Sequence, residues 1–440
     1  MSTQTGGSSG KAVSAPDKLF AASCFALVVS AVAFGIRADI ADALAVHFNT
    51  TKEAVGWFGM GGAFWGFAIA IFIGGQLCDW LGMKTLMLLA CLLQIAGVAG
   101  TVFAPSLSVL AMATLAVGLG NGLVEAVVNP LVATIYPESK TRKLNHLHAW
   151  WPGGIVIGGL LGFGISVLST KLGTPQQPWH PSFAALWQVK QAIVFIPAVI
   201  YGIMFLEMKL PKTERVQSGV TTAEMYKEIF RPLFLVFLFC MLLTAATELG
   251  PGQWMGSIMT KAAGQGILVL VWISLIMCVG RLFAGPVVHR LRPNGMLVGS
   301  AAVAAVGLLL MSMVTSKPGA FLAATVFAVG VCYFWPTMLG TTSERFPKGG
   351  ALLMGLMGAA GMTAAGFAQP VVGRLLDQFK DNPTAACRVF ALLPAALVVV
   401  FGLILVADAA KGGYKAVKLG KEAEKPAEAA VPAGDAPKSA

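Results

Sequence analysis

Gly75-Gln76-Leu77-Cys78-Asp79-Trp80-Leu81-Gly82-Met83-Lys84 is a short polar interruption between two long apolar runs, 53–78 and 84–103. Its glycines permit a tight turn, and the flanking runs are each long enough to be a helix that crosses a membrane. A related junction, Gly285-Pro286-Val287-Val288-His289-Arg290-Leu291, closes another apolar run at the corresponding place later in the chain. A second echo follows. Asn129-Pro130 precedes Glu138, and Trp335-Pro336 precedes Glu344, with eight residues from proline to glutamate each time. A chain that repeats its own junctions in this way reads as two related halves.

Working outward, a spanning helix needs roughly 20 apolar residues. Twelve runs meet this: 19–46, 53–78, 84–103, 107–136, 147–169, 184–208, 232–258, 264–289, 295–315, 319–342, 349–376 and 387–409. The composition agrees, with 56% hydrophobic and 12% charged residues, against roughly 25% charged in a soluble domain. The expected fold is therefore an all-α membrane protein of twelve transmembrane helices, in two pseudo-symmetric six-helix halves, 19–208 and 232–409. Residues 1–18 and 410–440 read as disordered cytoplasmic ends. Residues 209–231 read as a cytoplasmic central loop, with a short surface helix at Thr222–Glu228. The link Thr170–Ser182 holds Pro175, Pro178 and Pro181 and reads as a loop without regular structure. No cleavable signal peptide is expected, because the first apolar run is too long for an h-region.

The net charge of +11 does not point to nucleic acid. Of the 31 Lys and Arg, 21 fall on one side of the expected membrane or in the two ends, 7 on the other side and 3 within spans. That asymmetry places both termini in the cytoplasm of a bacterial inner membrane. The seven cysteines lie in or beside apolar runs, form no CxxC pair and read as small buried hydrophobes. No metal site or cofactor motif is legible. There is no Walker A sequence, no HExxH and no GxSxG with usable partners, so an ATP-driven pump and a hydrolase are both disfavoured. The expected partners are a small-molecule substrate, protons and the lipid bilayer, with the protein acting as a monomer.

The 75–84 junction resembles the signature loop of the major facilitator superfamily, G-x-L-x-D-R-x-G-R-K. Trp80 stands where the signature has Arg, and Met83 where it has a second basic residue. The resemblance implies an inner gate formed by Gly75, Asp79, Gly82 and Lys84, and Arg281 reads as a further gate residue near the inner end of the eighth run. A narrower resemblance rests on Gly122-Leu123-Val124-Glu125-Ala126-Val127-Val128-Asn129-Pro130, on Tyr136-Pro137-Glu138-Ser139 and on Leu144-Asn145-His146-Leu147-His148. These resemble the fucose–proton symporter family. There, a glutamate sits four residues before Asn-Pro in the fourth helix and an aspartate sits in the outer half of the first. The resemblance implies that Glu125 and Asp42 couple protons to solute movement, with Asp39 as a second candidate in the first helix.

The residues carry part of this reading by themselves. An ionisable group inside a bilayer is costly and so marks a functional hypothesis. Asn121, Glu125 and Asn129 recur every four residues and form one stripe, expected to face a cavity; the alternative is a hydrogen-bonded seam between helices. Glu248, Gln253 and Trp254 flank Gly250-Pro251-Gly252. That run is expected to break the seventh helix and line the cavity, with polar groups for hydroxyls and an aromatic face for a ring. Trp335 joins this set as a ligand platform, its alternative being core packing. Arg37 is expected to pair with Asp39 or Asp42. Trp150 and Trp151 are read as an interfacial aromatic belt. The expected function is secondary active transport, proton-coupled uptake of a sugar or similar small polar solute. The alternatives are an exporter of amphipathic compounds and, from another class, a transporter-like membrane receptor or sensor.

Overall fold

An apolar segment in lipid must satisfy its backbone hydrogen bonds within itself, which an α-helix does. The computed structural model describes residues 14–136, 140–172, 183–212 and 222–415. Among these residues every element is helical. Eleven helices are long and apolar enough to cross a membrane, and a twelfth crossing comes from a pair bent by 112°. The first six are Pro16–His47, Lys52–Gly75, Met83–Val102, Leu107–Val132, His146–Leu168 and Trp187–Glu207. The second half contains Pro232–Gln253, then the bent pair Met255–Ala263 and Gly266–Leu282, then Arg290–Met311, Lys317–Thr342, Leu352–Gln378 and Pro383–Ala410. We call the end of the bundle that bears Pro16 and Ala410 the termini end, and the opposite end the far end.

The helices begin where the sequence supplies caps. Ser106 and Ser316 occupy corresponding places in the two halves, and each accepts a hydrogen bond from the first turn of the helix that follows. Small residues then let backbones touch. A side chain on Gly118 would begin 2.1 Å from the carbonyl oxygen of Ala63, so the second and fourth spans meet backbone to backbone. Gly158 does the same for the first and fifth spans, against Val32.

Several expectations need correction. The helix expected to end at Gly250-Pro251-Gly252 runs through these residues to Gln253, and the break falls at Trp254. Pro251 removes one backbone donor, but the helix absorbs this and breaks only a turn later. The chain from Pro16 to Lys18 is helical, so the ordered part starts earlier than expected. The fifth helix starts at Lys140, about two turns before its apolar run. The short surface helix expected between the halves is present, spanning Thr222–Ile229. Most of the proline-rich link and of both ends lies outside the described residues, as do Pro137, Glu138 and Ser139.

The junction repeat has a backbone counterpart. Gly82 has φ 81 and ψ 145, while Arg292 has φ 54 and ψ 160. Both lie in a region essentially reserved for glycine. The first half meets that demand with glycine and the second with arginine.

Candidate functional site

A cleft lies between the halves at mid-depth, lined by Phe34, Trp151 and Pro152 on one side and by Glu248, Gln253 and Ser274, among others, on the other. Its volume is about 40 Å³, far below the several hundred Å³ of a typical ligand pocket. The conformation is contracted, and the cleft must widen to hold a solute.

Beside the cleft, buried charged groups meet from both halves. Arg281 Nη2 donates to Glu248 Oε1 at 3.1 Å, and its Nε donates to the carbonyl oxygen of Cys332 at 2.9 Å. The two side chains are 3% and 9% exposed, so the pair is dry. Arg281 is also within electrostatic reach of Glu125 and His148 in the other half. There, His148 Nε2 pairs with Asn129 Oδ1 at 3.1 Å, and Asn129 stands one helical turn from Glu125, near enough to influence its carboxyl. A chain of polar groups thus runs from His148 through Asn129 to Glu125 and faces Arg281 and Glu248. Arg281, read from the sequence as a gate residue near the inner end, sits instead in this central group. Arg281 is in the last turn of the helix Gly266–Leu282, and a further helical stretch from Ala284 follows it before the kink at Arg292.

The stripe of three expected to face one cavity divides. Asn121 turns into the amino-terminal half, where Gln94 Nε2 donates to its Oδ1 at 2.7 Å and to Ser30 Oγ at 3.1 Å. This is a seam tying the first, third and fourth spans. Only Glu125 and Asn129 reach the central group.

The first span's acids are elsewhere. Asp39 pairs with Lys190 at 2.5 Å, and Lys190 also donates to Ser166 at 2.8 Å. Lys190, one of the seven Lys and Arg assigned from the sequence to the side of the membrane away from the termini, is buried. Asp42 lies at the far end, where Lys52 approaches at 2.8 Å and Ser257 donates at 2.8 Å. Its carboxylate joins the halves at their rim rather than the central group. Arg37 pairs with neither acid.

The aromatic residues also sort differently. Trp254 is fully buried and donates from Nε1 to the carbonyl oxygen of Gln369 at 3.2 Å. It ties two spans of one half and does not line the cleft. Trp335 packs against Gly361. The aromatic wall of the cleft comes instead from Phe34 and Trp151, in edge contact at 4.9 Å. Trp151 is 7% exposed while its neighbour Trp150 is 47% exposed, so only Trp150 fits an outward belt. Gln253 crosses to the other half, donating to the carbonyl oxygen of Phe34 at 3.3 Å.

Of the signature loop, Gly82 makes the turn and Lys84 Nζ donates to the carbonyl oxygen of Leu206 at 2.6 Å. Gly75 has open space around it. The side chain of Asp79 lies outside the described residues.

At the far end the halves are joined directly. Asp377 Oδ1 and Oδ2 accept the backbone N–H groups of Lys52 and Glu53 at 3.2 and 3.0 Å, capping the start of the second span. Arg374 pairs with Glu53 through Nε at 2.9 Å and through Nη2. A side chain on Gly56 would begin 2.6 Å from Pro370 Cα.

Solved structures share this architecture. The E. coli fucose:proton symporter FucP matches with a TM-score of 0.63 at 16% identity, over 87% of this chain and 98% of that one. A partially occluded, inward-open form of the E. coli xylose transporter XylE matches with a TM-score of 0.71 at 12% identity, over 89% of this chain and all of that one (100%). Among curated sequences, a candidate niacin/nicotinamide transporter of Bacillus subtilis, NiaP, is 25% identical over 46% of each chain. An uncharacterized MFS-type transporter of Mycobacterium tuberculosis is 30% identical over 23% of this chain and 24% of its own length. The aligned stretches thus span under half of these curated relatives. The sequence profile of the Major Facilitator Superfamily matches residues 19–351, most of the chain. The protein is a multi-pass membrane transporter that belongs to the Major Facilitator Superfamily.

Proposed function

We propose that this transporter couples the uptake of a small polar solute to protons, by alternating access through the central cleft. The observation that carries the reading is one buried arginine, Arg281, bonded to the buried carboxylate of Glu248 and within electrostatic reach of a second buried carboxylate, Glu125, from the opposite half. With Glu125 and Glu248 both ionised, Arg281 balances only one of them. A buried net charge costs several kcal/mol, so one proton on the group removes that cost and permits closure around a solute. Asn129, held by His148, stands one helical turn from Glu125 on one side. The empty, deprotonated carrier keeps the uncompensated charge and crosses poorly, which is the condition for coupling.

The solute in this reading is a sugar or a ring of similar size. Phe34 and Trp151 offer aromatic faces to ring C–H groups, while Glu248, Gln253 and Ser274 offer hydrogen bonds. FucP and XylE, which share the fold, are named for sugar transport. A ring carboxylate is the second reading, because Arg281 is bonded to Glu248, which lines the cleft, and one relative carries a niacin name. The termini end is assigned to the cytoplasm of a bacterial inner membrane, from the distribution of Lys and Arg.

Proteoliposome counterflow with labelled hexoses, pentoses and nicotinate identifies the solute. Glu125→Gln, which mimics the protonated carboxyl, then tests the coupling. It is expected to keep solute exchange while losing accumulation driven by a pH gradient about tenfold or more. Full gradient-driven accumulation by this variant removes Glu125 as the coupling residue.

A further inference from the structure

Away from the cleft, the amino-terminal half holds a buried charge that nothing described in the protein neutralises. Arg37 is 4% exposed, and neither Nη1 nor Nη2 has a hydrogen-bond partner among the described residues. The acids nearest in sequence are committed elsewhere, Asp39 to Lys190 and Asp42 to Lys52 and Ser257. Residues two apart on a helix do not face each other, so Asp39 cannot turn to Arg37 without losing its place. The guanidinium instead lies 4.4 Å over the ring of Phe34 and lines a small cavity with Thr101, Thr114 and Gln191. The hydroxyl of Thr101 is spent on the carbonyl oxygen of Gly97, and that of Thr114 on those of Phe58 and Ala111. The cavity's remaining donors are therefore the Arg37 amines and the Gln191 amide.

We propose that this cavity is a binding site for a small monovalent anion of halide size. A guanidinium offers donors only, and left unpaired in a low-dielectric interior it costs several kcal/mol. A water would satisfy its hydrogen bonds but leave its charge. An anion does both. The cavity measures about 10 Å³, room for a single water-sized body, which excludes phosphate, sulfate and organic anions. Phe34 separates this cavity from the cleft. One face carries Arg37 and its edge contacts Trp151, so the anion sits one ring away from the solute.

Thermal unfolding of the purified full chain in sodium chloride, sodium bromide and sodium gluconate, at equal ionic strength, tests this. The midpoint should rise saturably with either halide and not with gluconate, by about 3 °C at a large excess over Kd. Arg37→Met should abolish the difference. A wild-type midpoint indifferent to halide, or an equal halide response in Arg37→Met, overturns the site. Should that variant fail to fold, crystals of the wild type grown in bromide decide. An anomalous peak against Arg37 supports the site, and its absence at saturating bromide overturns it.

Discussion

The two ends of the bundle are held by different kinds of contact. At the far end the contacts cross between halves: Asp377 caps the second span, Arg374 grips Glu53, and Ser257 donates to Asp42. At the termini end the polar contacts among the described residues stay within one half. Lys84 reaches Leu206, and Tyr136 donates to Asp17 at 2.6 Å. In the other half Asp408 gathers Arg345 and Asn294, and Tyr414 donates to Glu344 at 2.5 Å. Burial and the hydrogen bond to Asp17 push the Tyr136 phenol up to about 12, so it remains a donor at neutral pH. The difference teaches where the cycle has to work. Contacts within a half travel with it when the halves rock, whereas contacts between halves must be exchanged. This structure is a state closed at the far end.

The largest expected effect comes from wedging that closure apart. Gly56→Ala places a methyl group against the backbone of Pro370 and Gln369, where neither neighbour can yield. Overpacking of about 2–3 kcal/mol, in the upper part of the usual range because both neighbours are backbone, should shift the population toward a far-end-open state by about 30-fold or more. Maleimide labelling of a cysteine placed at Ser257, in a background without native cysteines, should quicken accordingly. Unchanged labelling would mean that the second and eleventh spans do not form the closure.

Asp408→Asn should act on the other end and in another currency. It breaks a partly buried cluster within the carboxy-terminal half, so stability should fall by roughly 2 kcal/mol, allowing for partial exposure. Labelling at the far end should hardly change. A large change in labelling with an intact melting curve would erase the distinction drawn between the ends.

Asp377→Asn weakens a charge-assisted cap, at about 1 kcal/mol. The far-end-open fraction should rise about fivefold, with little change in melting. Smallest of all is Arg374→Gln, since the Arg374–Glu53 pair is largely solvated. A change of about twofold or less is expected, and it should vanish at high salt. If this variant exceeds Asp377→Asn, the cap is not the principal tie.

Much of the fold was legible because the bilayer imposes one rule on every span. The buried ions were legible for the same reason, since Glu125, Glu248 and Arg281 stand out in apolar runs. Their grouping was not, because Glu248 and Arg281 meet Glu125 from another half of the chain. Lys190 looked like a charge on the side away from the termini because its partner Asp39 is 151 residues away in sequence. Trp151 was lost within a Trp-Trp pair, although a signal existed. It shares a helical face with Gly154 and Gly158, which pack on Val28 and Val32 of the first span. Neighbouring residues on a helix point about 100° apart, so one tryptophan of the pair had to turn inward.

The repeated junction has one more consequence. Two copies of the same turn were handed to the protein, and only the first kept its glycine. The second holds Arg292 in a shape worth about 1–3 kcal/mol of strain, and something outside the turn must keep it there. The Arg292 guanidinium lies against Gly413, in a segment whose Gly412 and Gly413 have φ 84 and 94. Tyr414, the next residue, is anchored on Glu344. The stretch after the last span therefore works as a splint, strapped across a turn that its own sequence would not keep.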